Sequence, residues 1–358
     1  MGFIKGIINA VADPRLFFLL ALAALFVIVW QRERVASNTV GYGLLGGLAI
    51  FFIFGTFDFN FRQIVTKPDN VPIVGLIFLL VFFVWYSIRE GVRNDRRIAA
   101  GQGPIEKAES DRVWVWPDLV YTELISLILC SVVLIVWSIF LKAPLEQPAN
   151  PANTPNPSKA PWYFLGLQEM LVYFDPWLAG VVLPSLIIVG LICIPYVDRN
   201  PKGNGYYTFA ERKAEITIFL FGFVVLWCSL IVLGTFLRGP NWNFFGPFEF
   251  WDIHKLAALT NVNLSEYVWV RGLRVGLPTN WFIREIFGIL LVVFYIFALP
   301  VILAKAWFKP YYEKLGAPRY YTGAILFLMM LSLPLKMLAR WLFNLKYIVA
   351  IGEYFFNI

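Results

Sequence analysis

Long apolar runs separated by short polar, basic or proline-rich stretches set the pattern of this chain. Crossing ~30 Å of hydrocarbon takes roughly 17 to 25 largely apolar helical residues. Eight runs approach that length: Leu16–Trp30, Val40–Phe57, Val71–Ile88, Leu124–Leu141, Pro176–Val197, Ile216–Leu237, Ile286–Ala304 and Tyr320–Leu335. None of them holds an Asp, Glu, Lys or Arg. The first and last are short, so Pro14 and Arg15, and Arg319 and Lys336, are expected to reach the headgroups by snorkelling. A cleaved signal peptide is the rival reading of the first run, but "QRER" (Gln31–Arg34) is a poor small-residue cleavage site. The expected fold class is all-α integral membrane, with about eight transmembrane helices.

Composition agrees. With 59% hydrophobic and 15% charged residues in 358, no soluble domain of this size hides so much apolar side chain. The formal charge of +7 does not imply nucleic acid, because basic residues beside spans mark loops that stay on the cytoplasmic side. If the eight spans alternate, "QRER", the basic linker Arg89–Arg112, "DRNPKGNGYYTFAERK" and "KAWFKPYYEKLGAPR" share that side. The opposite side receives the Pro/Asn-rich loop Pro144–Pro157 and a long aromatic segment from Arg238 to Glu285, which fits an interfacial loop or short surface helix.

The pattern divides the chain into an N-terminal three-helix module (1–100), a central region (101–240), an interfacial loop (241–285) and two C-terminal spans (286–358). Gly41, Gly43, Gly46 and Gly47 are expected to let a neighbouring helix approach closely. Cys130, Cys193 and Cys228 lie in apolar runs without a CxxC pair, and the single histidine, His254, has no second haem ligand to accompany it. No metal site is expected.

Polar residues cluster instead at the boundaries, most of all in "PSKAPWYFLGLQEM", Pro157 to Met170. Pro161 suits the first turn of a short interfacial helix, with Ser158 as a possible N-cap. Trp162, Leu165, Gly166 and Glu169 then share one face at spacings of three and four. An aromatic, a gap at Gly166 and a carboxylate suit a flat, oily molecule that releases protons.

The ordered series "WPDLVYTEL", an apolar span, a Pro/Asn-rich loop, "APWYF", a span ending in "PYVDRNP", then "ERK" and a further span resembles the C-terminal part of cytochrome b. It is especially similar to subunit IV, the separate-chain form of photosynthetic cytochrome b–f complexes. The resemblance runs from about Trp114 to Pro240, and Ile286–Ala304 resembles a further helix of long cytochrome b chains less closely. It implies quinol oxidation on the positive side of an energy-transducing membrane, such as the bacterial inner membrane. One electron passes to a Rieske iron–sulfur protein and one to haem b in a partner chain. The implied partners are a separate His-rich cytochrome b chain, the Rieske protein, a c-type cytochrome and membrane lipid, in a dimeric complex, with no haem held by this chain.

The resemblance places "APWY" at the family's Pro-Glu-Trp-Tyr motif, so Pro161, Trp162, Tyr163, Leu165 and Gly166 are the implied quinol-binding residues. Trp162 and Tyr163 match, but Pro161 stands where the family has the glutamate thought to take a proton from the quinol. Glu169 is the candidate substitute acceptor, with Tyr163 beside it. A charge there costs several kcal/mol unless water or a cation attends it, and Lys159 is the nearest cation in sequence. Arg112 and Asp118, before the fourth span, are candidates to border a second quinone site, and a stop-transfer cluster explains them equally well. The alternative to a redox subunit is a non-redox membrane scaffold or carrier with aromatic interfacial loops.

Overall fold

A computed structural model describes residues 2–109, 113–140, 148–202 and 205–358. Its main helices are α1 (Gly2–Val11), α2 (Pro14–Trp30), α3 (Asn38–Gly55), α4 (Val71–Ala99), α5 (Val115–Phe140), α6 (Trp162–Met170), α7 (Leu178–Val197), α8 (Lys213–Leu237), α9 (Trp281–Lys305) and α10 (Ala317–Phe343). Seven of these are each long and apolar enough to cross a bilayer, and α1 with α2, bent by 76° at their junction, makes an eighth crossing if taken as one span. The bend follows from local chemistry. Asp13 caps α2 by accepting the Arg15 N–H at 3.0 Å, and Pro14 sits in the first turn, where its missing N–H costs nothing.

Several helices outrun their apolar runs. At ~1.5 Å per residue the 29 residues of α4 reach ~43 Å, so its last turns stand clear of the hydrocarbon. Charged residues enter the helices in these extensions, outside the apolar runs: α5 takes in Glu123, α8 Glu215, α9 Arg284 and Glu285, and α10 Lys336 and Arg340. Snorkelling of Lys336 is corrected. Lys336 is 3% exposed, its Nζ donates to the Lys346 carbonyl at 2.7 Å, and it lies 5.5 Å from the Phe174 ring. The reason is that α10 continues two turns past it and the C-terminal tail folds back. There Ala350–Ile351 (β1) pairs antiparallel with Phe356–Asn357 (β2), and the Ala350 N–H binds buried Glu285 at 3.1 Å. The apolar pattern held no signal for this tail.

Side-chain ties gather the connecting segments at two ends, as alternating spans require. At one end Glu33 pairs with Arg96, Asn94 donates to the Tyr207 carbonyl at 3.0 Å, and Arg199 and Arg319 bind the carbonyls of Lys314 and Tyr196. At the other, Lys5 pairs with Asp58 at 2.5 Å, the Phe248 N–H binds Asn9 at 3.0 Å, and Arg340 reaches the Thr260 carbonyl at 3.2 Å. The segment 241–285 has structure of its own, including a helical stretch from Leu264 to Gly272.

Three buried clusters bind the first three spans to the rest. The largest brings Phe18 of α2 against Met170, Tyr173, Leu178, Leu230 and Met337; a second joins Phe61 and Ile64 to Leu233 and Phe236; a third joins Ile88 and Val92 to Phe209 and Ile216. Between spans the gain is close van der Waals packing, since lipid is as apolar as Leu. Of the four glycines expected to admit a neighbour, only Gly41 meets one: a Cβ there falls 2.0 Å from Trp85, while Gly43, Gly46 and Gly47 have nothing within 4 Å. By contrast α5 buries none of its residues against the described chain.

Candidate functional site

The helix α6 begins after an extended proline segment and lies against the last turns of α8. Pro161 itself is the N-cap residue, with extended φ and ψ and no side-chain cap, so Ser158 is not the cap. Gln168 does the work of one by folding back. It donates to the Ser158 carbonyl and accepts the Ala160 N–H, both at 2.8 Å. Helix and preceding segment are thereby clamped into one unit.

The candidate residues divide between two faces. Leu165 (3% exposed), Gly166 and Glu169 (0%) are buried against α8, whereas Trp162, Tyr163 and Phe164 are exposed. Gly166 is not an open gap. A Cβ there meets Ile231 at 3.4 Å, and a Cβ on Gly234 of α8 meets the Leu165 carbonyl at 3.3 Å, so the two glycines mark where the helices cross. What remains open is an aromatic strip, with the Tyr163 ring 5.7 Å from Trp162 and 4.7 Å from Phe164.

Glu169 has a cation partner, and it is Arg238. The guanidinium Nη2 donates to Oε1 at 2.6 Å and Nε to Oε2 at 3.0 Å, a bidentate fork, while Nη1 donates to the Trp242 carbonyl at 2.9 Å. Burial works against the Arg238 charge, but Glu169 beside it outweighs that and holds the guanidinium above its ordinary value. Lys159 does not pair with Glu169. Its Nζ donates to the Thr235 carbonyl at 2.9 Å and lies 4.9 Å from the Trp251 ring centroid. Burial pushes this amine down to about 7, aided by repulsion from Lys67 and Arg238 and opposed by Glu169. One turn beyond Glu169, Tyr173 is buried with its hydroxyl unpartnered, as are Thr235 Oγ1 and Trp251 Nε1 near Lys159.

Arg238 is the residue that sequence reasoning missed. Its signal was available: "TFLRGP" closes the sixth span, and a membrane-facing carboxylate calls for a cation. Asp118 is exposed in the first turn of α5 and is not brought to α6, and Arg112 lies outside the described residues. His254 is exposed in a loop, its N–H on Asp252. Among the described residues no group of three or more His, Cys, Asp or Glu converges.

Residues 148–246 match the family described as cytochrome b (C-terminal)/b6/petD. They form a cytochrome b C-terminal-like region. It holds the proline segment, α6, α7, α8 and the Glu169–Arg238 pair, a narrower stretch at its start than the sequence resemblance from Trp114. The cytochrome b of Allochromatium vinosum is 28% identical over 171 residues, 43% of this chain and 41% of that protein, so the match spans less than half of either. No solved structure matches.

Proposed function

We propose that this integral membrane chain is a subunit of a quinol-oxidising complex of the cytochrome bc or b–f type and supplies one wall of its positive-side quinol oxidation site. The observation that carries this reading is the exposed strip Trp162–Tyr163–Phe164, presented by a helix that a buried bidentate ion pair fixes to α8 inside the cytochrome b-like region. Flat apolar rings suit the ring of a quinol, and the phenol of exposed Tyr163 is a group that can hydrogen-bond a quinol oxygen. Pro161 opens the strip without an N–H or a carboxylate of its own. Leu165, Gly166 and Glu169 act behind the wall. With both Glu169 oxygens held by Arg238, a quinol proton reaches that carboxylate only by displacing a guanidinium N–H, so the geometry supports a positioning role for it over that of acceptor.

Exposed His254 does not fit a pair of axial haem ligands, so the haem b, like the iron–sulfur cluster, is assigned to partner chains: a His-rich cytochrome b, a Rieske protein and a c-type cytochrome. Purification of the tagged chain from its own membrane, the bacterial inner membrane in this reading, followed by a reduced-minus-oxidised spectrum tests the proposal. A copurifying b-type haem with quinol oxidation activity is expected. A preparation of the intact chain devoid of b-type haem would overturn it.

A further inference from the structure

The helix α1 sets its apolar residues at helical spacing, yet none of them is buried. Phe3, Ile4, Ile7 and Val11 fall within an arc of ~100° on a helix of 3.6 residues per turn, and all four are exposed, Phe3 and Ile4 by 80% and 62%. The opposite face is the one that meets the protein. There Lys5 pairs with Asp58 in the connection between α3 and α4, and Asn9 accepts the Phe248 N–H and leaves no room for a Cβ on Gly246. Ala12, just past the helix end, is buried in the cluster that holds Phe61, Leu233 and Phe236. The helix is thus anchored by its polar side and presents its apolar side outward.

Its depth follows from α2, which crosses without help. The 17 residues of α2 rise ~25 Å, and polar side chains close both ends, Asp13 and Arg15 at one and Gln31, Arg32 and Arg34 at the other. Continued straight, the 10 residues of α1 would carry Phe3 ~15 Å out into water. Bent by 76°, α1 advances only ~4 Å along the α2 axis and stays at the level where the span ends. Exposed Phe57 and Phe59 flank Asp58, so the residue that receives Lys5 also lies in a stretch of open apolar rings. A protein is the poorer occupant for the arc, because stable interfaces use roughly 20–30 residues a side and the arc offers four. Lipid sets no such threshold, and an apolar arc opposite a polar anchor at this level is the arrangement of an interfacial helix.

We propose that α1 is a membrane-surface helix rather than the start of a span, and that the partner of its open face is lipid: Phe3, Ile4, Ile7 and Val11 are embedded at the boundary of headgroups and acyl chains, while Lys5 and Asn9 hold the Asp58 connection and the 246–248 loop to that level. The proposal concerns α1 and does not depend on the redox reading.

The test uses the unaltered full chain, with whatever subunits copurify, in phosphatidylcholine vesicles doped with a phosphatidylcholine that carries a diazirine in its acyl chain. After irradiation, adducts mapped by mass spectrometry are expected on Phe3, Ile4, Ile7 or Val11 as well as on the exposed faces of α7 and α9. Adducts on α7 and α9 with none on α1 overturn the proposal. A nitroxide on Ile7→Cys, in a chain whose Cys130, Cys193 and Cys228 are replaced by Ala, gives a second measurement. It is expected to collide at least ~threefold more often with oxygen than with a neutral nickel chelate, as a label below the headgroups does. The reverse ratio puts the arc in water, and shielding from both reagents puts it against a protein; either result overturns the proposal.

Discussion

Removing one partner of the Glu169–Arg238 pair is the sharpest test of how α6 is held. Glu169 has no exposure and the Arg238 side chain 13%, so neither charge recovers solvation when the other is lost. Arg238→Met leaves a carboxylate sealed between α6 and α8, at a cost of ~3–5 kcal/mol, or roughly 6–10 °C in Tm at about 2 °C per kcal/mol. Glu169→Gln strands the guanidinium instead and turns an amide N–H toward its donors, so a loss of similar sign and at least ~2 kcal/mol is expected. Arg238→Lys keeps the charge but not the fork and costs less, ~1–2 kcal/mol. The double variant Glu169→Leu/Arg238→Met replaces the pair with apolar side chains and is expected within ~1 kcal/mol of the parent, because a buried ion pair gains little over an apolar contact. Thermal unfolding in detergent, followed by tryptophan fluorescence, closes the double-mutant cycle, and quinol turnover is read on the same samples. A double variant as unstable as the worse single one, or singles indistinguishable from the parent, would refute the reasoning. Recovery of turnover together with stability in the double variant would mark Glu169 as a positioning residue; recovery of stability alone would return it to the list of proton acceptors.

Other consequences can be checked singly. Gly41→Ala drives a methyl into Trp85 and is expected to lower Tm by several degrees, whereas Gly46→Ala, with open space around it, is expected to be neutral or up to ~1 kcal/mol stabilising through helix propensity. Gly288→Ala sets a Cβ 2.0 Å from the Ile348 carbonyl and is expected to unseat the C-terminal tail, read as faster proteolysis after Phe343. Tyr163→Ala removes the middle of the aromatic strip and is expected to raise the KM for quinol about tenfold, with Tyr163→Phe recovering the stacking share; equal KM in all three forms would remove Tyr163 from the wall. Lys159 has a folded value of about 7 against 10.5 for the free side chain, so between those values the unfolded chain binds a proton that the folded chain does not. Stability is then expected to climb as pH rises from 7 toward 10.5, with the full burial penalty below 7, and Lys159→Met is expected to flatten that climb in a pH series of thermal melts.

The spans were legible because bilayer thickness imposes one length scale on every apolar run, and alternation then sorts the connecting segments into two ends. Helix ends were not legible, because the run of apolar residues stops where charge begins while the helix continues through the headgroup region. Lys336 shows the consequence: its position past the last apolar residue suggests snorkelling, and only the returning tail reveals it as buried. At the site, periodicity put Trp162, Leu165, Gly166 and Glu169 on one face; the last three are buried together against α8 while Trp162 is exposed with Tyr163 and Phe164, and the pattern left open what the buried face meets. A glycine next to a carboxylate reads as a ligand gap and as a helix crossing with equal ease. The neighbour that decides, α8, lies more than 60 residues away in sequence, beyond the reach of any local pattern.

Pro161 takes on a clearer meaning against this geometry. A carboxylate at that position stands at the head of α6, on the same side as Trp162 and Tyr163 and in reach of a ligand there; a proline removes both the charge and an N–H from the exposed edge. The carboxylate this chain does keep sits two turns deeper, closed off by α8 and forked to Arg238. The nearest amine, on Lys159, is neutral in part near pH 7 and lies on the same segment as the wall, tied to α8 through the Thr235 carbonyl. In the proposed reading the open side of α6 thus contacts the quinol through rings and one hydroxyl. Proton release from the quinol then runs either through the Lys159 amine on that segment or through groups that a partner chain or water brings to the open face, and the pH dependence of quinol oxidation in Lys159→Met separates the two.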